Sequence, residues 1–446
     1  NLDSLGYASM TPIQAESLPL ILAGRDLIGQ ARTGSGKTAA FGLGLLERLD
    51  PKRFRVQALV LCPTRELADQ VAGELRRLAR AIDNVKVLTL CGGVPIGPQI
   101  GSLEHGAHVV VGTPGRIDDH LRKQTLELEA VEVLVLDEAD RMLDMGFQET
   151  VDAIINAVPA QRQTLLFSAT WPDPIRALAG RIMKDPTRVT VDTLHDAVSI
   201  TQHLHEVPDD AARLDALRRV LLAHRPVSAL VFCNTKVDVD DVHKHLVGNG
   251  FSALALHGDL DQRARDEALI RFSNQSASVL VCTDVAARGL DISDLDLVIN
   301  FSVARDRDVH LHRIGRTGRA GSSGRACTLF TAAERHRIDR LPETFSETIA
   351  PEPLPPSELL REAPWRPAMR TLQIDGGRRQ KLRPGDIVGA LTGEGGIEGG
   401  QIGRIAVQDQ CAYVAVRSEV AQRALQKLGR GKLKGRAFRV RPIEDR

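Results

Sequence analysis

Ten short apolar runs, five before residue 190 and five after it, constrain the fold of this chain more than any other feature. ALVLC from Ala58, VKVLTL from Val85, HVVVG from His108, VLVLD from Val133 and QTLLFS from Gln163 alternate with longer amphipathic stretches. ALVFC from Ala229, ALALH from Ala253, SVLVC from Ser278, LVINF from Leu297 and ACTLF from Ala326 repeat the pattern. Short strands separated by helical patterns form parallel sheets covered on both faces. The expectation is two α/β lobes, residues 1–195 and 196–348, joined by a polar stretch around Thr193 to Thr201, with a cleft between them. With 43% apolar residues in 446, there is enough material for ordinary cores.

One of these runs ends abruptly. VLVLDEADRMLDMGF passes from four apolar residues directly to Asp137 and Glu138, with Asp140 close behind. Unpaired charge is expensive to bury, so these acids belong at the exposed carboxyl end of a strand, where open α/β sheets bind ligands. A hundred residues earlier, the strand-like DLIGQ leads into ARTGSGKTAAFGLGLLERL. Backbone N–H groups over Thr33, Gly34, Ser35, Gly36, Lys37 and Thr38 can surround a phosphate at a helix N-terminus, Lys37 can reach the terminal phosphates, and the Thr38 hydroxyl can hold Mg²⁺. The strict pattern for such a loop has glycine where Ala31 stands. A glycine-rich turn or a solvated acidic turn explains either segment alone, but not the pair. Together they predict an ATP site, with Asp137 on the Mg²⁺ and Glu138 orienting or deprotonating the attacking water.

With these residues in view, residues from about Tyr7 to Phe330 resemble the DEAD-box RNA helicases. The resemblance implies two RecA-like lobes, ATP and Mg²⁺ as cofactors, and single-stranded RNA or short duplex as substrate. By resemblance Gln14, at the end of MTPIQ, reads the adenine edge, and Asp291 touches the ribose. The sequence starts at Asn1, downstream of where the family carries an aromatic that stacks on adenine. PTREL with Thr64 and Arg65, then Gly92 and Gly93, then TPGR with Thr113 and Arg116, imply RNA-backbone contacts in the first lobe. Asn234 and Thr235 of VFCNT, Gly258 and Arg265 of HGDLDQRARD, and Thr283 of TDVAARGLD imply the same in the second. Ser168 and Thr170 of SAT, with Arg288 and His312, couple ATP to RNA by the same resemblance. In HRIGRTGR, Arg316 and Arg319 are candidates for an arginine finger supplied in cis, since a guanidinium fork pairs bidentately with phosphate oxygens. The family usually has Tyr where His310 stands; His310 reads as a satisfied histidine, not a proton shuttle.

Charge is distributed unevenly. From Arg366 on, 17 Lys and Arg face 8 Asp and Glu, a net of +9, against −8 for the first 365 residues. APEPLPPSELLREAPWRP, from Ala350 to Pro367, cannot continue a sheet and reads as a semi-extended linker, 349–367. Beyond it, 368–446 runs strand, helix, strand, strand, helix, strand, the βαββαβ order of ferredoxin-like and RRM-like folds. Base stacking on such a sheet needs aromatics, and the central strands offer only Tyr413. Basic edges are the expected RNA contact: Arg378, Arg379, Lys381 and Arg383 in one group, and Lys427, Arg430, Lys432, Lys434, Arg436, Arg439 and Arg441 in another. This domain resembles that of a bacterial subgroup of the family, which it anchors to a hairpin of large-subunit ribosomal RNA. The resemblance implies a partner in the pre-ribosomal large subunit and a role in its assembly.

The remaining signals are brief. No apolar run approaches the ~18 residues of a membrane span, and nothing near Asn1 reads as a signal peptide, so the expected location is cytoplasmic. Cys62, Cys91, Cys233, Cys282, Cys327 and Cys411 form no CxxC pair and read as buried reduced thiols. Oligomeric state is not legible. A non-catalytic RNA clamp is the rival reading, which the presence of Glu138 and both finger arginines disfavours; a DNA helicase is another, separable by comparing stimulation by RNA and DNA.

Overall fold

The computed structural model describes residues 2–31, 34–191, 200–287, 294–318, 324–340 and 350–443. The described residues up to 191 form one compact unit and those from 200 onward a second.

In the first unit, seven short strands make one parallel sheet: β1 (Leu27–Gln30), β2 (Ala58–Leu61), β3 (Val87–Leu90), β4 (Val109–Gly112), β5 (Val133–Leu136), β6 (Gln163–Ser168) and β7 (Thr187–Thr190). Their spatial order is β3-β4-β2-β5-β6-β1-β7. Side chains alternate across the pleat, so Ala58 and Val60 enter one core while Leu59 and Leu61 enter the other. Burial on both faces is why these runs are continuously apolar. β7, as TRVT on a sheet edge, carries no such run and was not anticipated.

The second unit opens with a parallel sheet of β8 (Ile200–Val207), β9 (Ala229–Cys233), β10 (Ala253–Leu256), β11 (Val279–Thr283), β12 (Leu297–Asn300) and β13 (Gly324–Thr331), ordered β10-β11-β9-β12-β13-β8. The stretch read as a polar connection therefore ends earlier than expected, because Ile200 and Thr201 already pair with β13 as an edge strand. Its polar alternation, ITQHLHEV, suits a strand with one neighbour.

β14 (Met369–Ile374), β15 (Ile402–Val407), β16 (Ala412–Arg417) and β17 (Val440–Pro442) form an antiparallel sheet ordered β15-β16-β14-β17, with helices Pro384–Thr392 and Ala421–Arg430 on one face. This is the expected RRM-like arrangement. Leu372 and Ile374 pack with Val414, Val416, Ile387, Leu391 and Leu428 in its core.

Residues 350–367 are not a free linker. The Glu352 amide donates to Leu204 O at 2.7 Å, Arg219 donates to Leu354 O at 3.3 Å, and Arg225 pairs with Glu362 at 2.5 Å. Leu354, Leu359 and Trp365 pack on the lobe's core, Trp365 edge-on to Phe251 with centroids 5.9 Å apart. Proline-rich composition sets extension; apolar residues spaced along it decide docking.

The strap delivers the C-terminal sheet against the second lobe. Asn274, 5% exposed, donates through Nδ2 to Thr371 Oγ1 at 3.1 Å, and Ser276 Oγ lies 2.7 Å from the same hydroxyl. Arg404 donates to Ser273 Oγ at 2.7 Å. Thr371 and Gln373 on β14, and Tyr413 and Ala415 on β16, share the face opposite the helices, and all four are buried. A buried amide left without its partner costs about 1–3 kcal/mol. Thr371→Val is therefore expected to lower the urea-unfolding free energy of the second unit by that amount with an unchanged m-value; wild-type stability would show that this contact is unimportant.

Candidate nucleotide and RNA sites

The strand order of the first sheet sorts the motifs by chemistry. β1, β6 and β5 are neighbours, and their carboxyl ends carry the phosphate loop, the SAT turn and the acidic turn. β2, β4 and β3 follow on the other side of β5, carrying Thr64 and Arg65, Thr113 and Arg116, and Gly92 and Gly93. The residues expected at the nucleotide and those expected at RNA thus lie on adjoining strands of one sheet.

The loop is built around glycine. Gly34 and Gly36 have φ of 84° and 92°, and a Cβ on Gly36 would lie 2.5 Å from Gln14 Nε2. Gln14 accepts from the Thr11 amide at 2.9 Å and donates to Gly36 O at 3.1 Å, while Thr11 Oγ1 donates to Ser35 O at 2.8 Å. Its amide thereby secures the loop to the preceding helix in this structure. Lys37 is buried and donates to Ala31 O at 2.8 Å, so the residue replacing the pattern's first glycine contributes through its carbonyl. The Ser35 hydroxyl is buried without a hydrogen-bond partner, and Thr38 is half-buried at the start of helix Lys37–Arg48.

Asp137 and Glu138 are 2% and 4% exposed, less than the sequence argument allowed. Asp137 Oδ1 has no hydrogen-bond partner. Burial pushes the Asp137 carboxyl up to about 6; Lys37 pulls it down and Glu138 adds to the rise. An orphaned buried carboxylate oxygen beside a phosphate loop has the hard-oxygen chemistry that suits Mg²⁺. Glu138 sits at φ 51°, an uncommon conformation for a side-chain-bearing residue, and lies 3.6 Å from Arg141. The third acid has a role that spacing did not reveal. Asp140 Oδ2 accepts from the Thr170 amide at 2.9 Å and its hydroxyl at 2.8 Å, while Ser168 Oγ donates to Thr170 O at 2.8 Å. Burial would raise the Asp140 carboxyl, but the Thr170 hydrogen bonds and Arg141 hold it below its ordinary value. The acidic and SAT turns are thus tied together.

Thr64 caps helix Arg65–Leu78 and Arg65 lies 3.6 Å from Asp69. Thr113 precedes helix Pro114–Arg122, from which Arg116 donates to Val94 O at 2.8 Å, next to Gly92 and exposed Gly93. Two helix N-termini and a glycine turn converge here, a fitting surface for phosphates.

In the second unit, β10, β11 and β9 are adjacent, so exposed Gly258 and Thr235 and half-buried Thr283 emerge side by side. Thr235 and Thr283 accept from the Asp238 and Ala286 amides at 3.1 and 3.3 Å, and Arg265 donates to Ala286 O at 2.9 Å. Asn234 departs from expectation. Its Nδ2 donates to Val303 O at 3.0 Å and its Oδ1 accepts from Arg313 at 2.8 Å, so its half-buried side chain is engaged inside the lobe in this structure. Arg313, 1% exposed, also pairs with Asp284 at 2.7 Å and donates to Ser302 O at 2.7 Å. Sequence reasoning passed over this arginine for its neighbours, because burial is invisible within HRIGRTGR. Arg316 is 6% exposed and His312 half-buried. His310 is buried, 3.1 Å from Gln202 Oε1, and burial with Arg313 lowers it to about 4, in keeping with a satisfied interior histidine. Thr33, Arg288, Asp291 and Arg319 lie outside the described residues.

On the C-terminal domain, the two basic sequence groups meet. Lys434 Nζ donates to Lys381 O at 2.7 Å and lies 3.3 Å from Asp386. Arg378, Arg379, Lys381, Lys432 and Lys434 are all exposed. Arg378 and Arg379 donate through their amides to Gln408 O and Asp409 O at 2.8 and 3.0 Å, an approach that only glycine at 377 permits: a Cβ there would lie 2.2 Å from Gln408 O. Lys427 instead donates to Gly393 O at 2.8 Å, so the second group is divided among tasks. Tyr413 is buried, which removes the single aromatic of the central strands from base stacking.

Two stability measurements follow. Asp137 has its folded-state pKa raised from 3.8 to about 6, so its charge opposes folding fully above pH 6 and not at all below 3.8. In chelator buffer, Asp137→Asn is expected to stabilise the first unit by about 3 kcal/mol at pH 7, the gain fading as pH falls through 6; an equal or lower Tm at pH 7 would contradict this. Arg313→Ala leaves Asp284 and Asn234 without their buried partner and is expected to destabilise the second unit by about 3–5 kcal/mol in urea, whereas an arginine that served only a ligand would leave stability unchanged.

Comparison with known proteins identifies the domains. The DEAD/DEAH box helicase family model matches residues 11–178, the helicase conserved C-terminal domain matches 212–321, and the DbpA RNA binding domain matches 371–442. The ATP-dependent RNA helicase DbpA of Escherichia coli K12 is 54% identical over 444 residues, covering 100% of this chain and 96% of that protein. The DEAD-box ATP-dependent RNA helicase CshA of Geobacillus kaustophilus is 47% identical over 79% of this chain and 76% of its own. Among solved structures, S. cerevisiae Dbp5 bound to RNA and ADP BeF3 superposes with a TM-score of 0.71 at 30% identity, covering 79% of this chain and 92% of that one. Identity of this extent, with three domain families in order along one chain, shows that the protein belongs to the DEAD-box ATP-dependent RNA helicases, in the DbpA subgroup.

Proposed function

We propose that this helicase is anchored by its C-terminal domain to a hairpin of large-subunit ribosomal RNA and separates short duplexes beside it during assembly of that subunit, in the cytoplasm. The observation that carries the reading is the union of two basic loops through Lys434 and Lys381 on a domain whose sheet face is already buried. A structured RNA held by phosphate and shape contacts suits such an edge better than a stacked single strand does. Arg378, Arg379, Lys381, Lys432 and Lys434 make the contact.

In the first lobe, Gln14 reads adenine once ATP displaces its amide from Gly36 O, and Thr33 to Thr38 hold the phosphates. Thr38 and Asp137 are the residues that would hold magnesium, which when bound supplies charge neutralisation at the β- and γ-phosphates. Glu138 orients a water and takes its proton as the water oxygen bonds to the γ-phosphorus and the bond to ADP breaks. Arg316 and Arg319 stabilise the transferring phosphoryl group, and Asp291 contacts the ribose. Thr64, Arg65, Gly92, Gly93, Thr113, Arg116, Thr235, Gly258, Arg265 and Thr283 hold one RNA strand, while Ser168 and Thr170, with Arg288 and His312, relay ATP binding to it.

ATP hydrolysis measured without RNA, with unstructured RNA and with the ribosomal hairpin carrying a short duplex tests the assignment. Stimulation is expected to be strongest with the hairpin, and Lys381→Glu with Lys434→Glu is expected to reduce it to the level of unstructured RNA. Glu138→Gln should lose about 10²–10⁴-fold in turnover while retaining ATP and RNA binding. Equal stimulation of the wild type by both RNAs would sink the ribosomal anchor, and full turnover in Glu138→Gln would remove that residue from its role.

A further inference from the structure

Helix Gln262–Ser273 has two working faces. Arg265 belongs to the RNA motifs, but Arg263, Glu267 and Arg271 recur at four-residue intervals and point to the seam where the C-terminal domain docks. There a cavity of 760 Å³ is lined from the lobe by Arg263, Arg271, His243, Asp261 and Glu267, and from the domain by Arg441. Its size is that of a small-molecule pocket, ample for one nucleotide unit.

The charges in it are unequal. Three guanidiniums face two carboxylates, and Asp261 is engaged in capping its own helix, accepting from the Ala264 amide at 2.8 Å. Glu267 acts on Arg271, which is 6% exposed. Arg441 donates to Gln373 Oε1 at 3.1 Å, which sets the direction of its guanidinium. His243 has its pKa lowered, first by burial, and stays neutral at pH 7, able to hydrogen-bond without adding charge. Arg271 also lines a second cavity of 730 Å³, to which Arg366 and Arg370 contribute. Guanidinium groups gathered along a domain seam, one of them almost wholly removed from water, match the geometry and charge of phosphate oxygens.

We propose that this seam is a phosphate-binding site that takes a backbone phosphate of RNA extending from the element held on the C-terminal domain. Its lining includes none of the basic-loop residues around Lys381 and Lys434 and neither Gly258 nor Arg265, although Asp261 and Arg263 belong to the same HGDLDQRARD segment. It gives the lobe and the domain a shared grip on one RNA, so the extension leaves the anchor in a defined direction. The inference rests on RNA being held by this domain, and the two ideas fail separately: charge reversal at Lys381 and Lys434 tests the anchor, and the seam arginines test the site.

The full chain is compared with Arg263→Gln, Arg441→Gln and the double variant, after a matching urea midpoint has shown that each is folded. Affinity is measured over a salt series for the hairpin alone and for the hairpin with a single-stranded extension. Each replacement is expected to reduce the slope of log affinity against log salt by about 1 on the extended RNA and to leave the bare hairpin unchanged. In parallel, inorganic phosphate is titrated against the wild type and the double variant by phosphorus NMR. An unchanged slope on both RNAs overturns the RNA assignment; if phosphate still binds the wild type and not the double variant, the source is a free anion. Failure of both measurements overturns the phosphate site altogether.

Discussion

A carboxylate that water cannot reach, held next to a lysine ammonium at the carboxyl end of β5, is the constraint on which the catalytic lobe depends. Asp137 is buried, its Oδ1 lacks a hydrogen bond, and its acidity is weakened by that burial. Such a group opposes folding, so it persists only where surrounding packing over-determines its position and where a cation or ligand can relieve it. The sheet supplies that packing: β5 lies between β2 and β6, apolar on both faces, and Lys37 arrives on the helix that follows β1. Glu138 in a left-handed conformation and Asp140 bonded to Thr170 then follow from turning the chain sharply out of that strand.

The second unit applies the opposite device. Where the first lobe leaves a buried charge under-satisfied, the second surrounds Arg313 with Asp284, Asn234 and Ser302 O until its guanidinium is fully paired. That network fixes the base of the segment from which Arg316 emerges. The C-terminal domain adds a comparable choice. Its sheet face, the usual RNA platform of RRM-like domains, is used for docking through Thr371, and the basic residues Arg378, Arg379, Lys381, Lys432 and Lys434 stay exposed.

Much of this was legible before any coordinates. The glycine loop and the acids stood out because phosphate and cation chemistry calls for particular residue types at short local spacings, whereas SAT, PTREL and TPGR stood out only through their resemblance to a family. Both parallel sheets were readable because burial on two faces demands uninterrupted apolar runs. Edge strands β7 and β8 escaped, since a strand with one neighbour and a half-solvated face carries no such run. The docked strap escaped as well: proline announces extension but says nothing of what the extended chain lies against.

By itself, the sequence determined the residue types on hand: a glycine-bearing loop ahead of a helix, three acids at the end of an apolar run, an arginine-rich HRIGRTGR and a basic tail in βαββαβ order. Tertiary structure alone decided how those groups are used. Strand order placed the glycine loop, the SAT turn and the acidic turn on β1, β6 and β5, and Thr64, Thr113 and Gly92 at the ends of β2, β4 and β3, a neighbour relation that periodicity does not encode. Packing turned Asn234 inward to Arg313, joined Lys434 to Lys381, and covered Tyr413. The physical reason is the same in each case: a side chain's role is set by which distant groups satisfy its hydrogen bonds and exclude its water, and those partners are brought close only by folding.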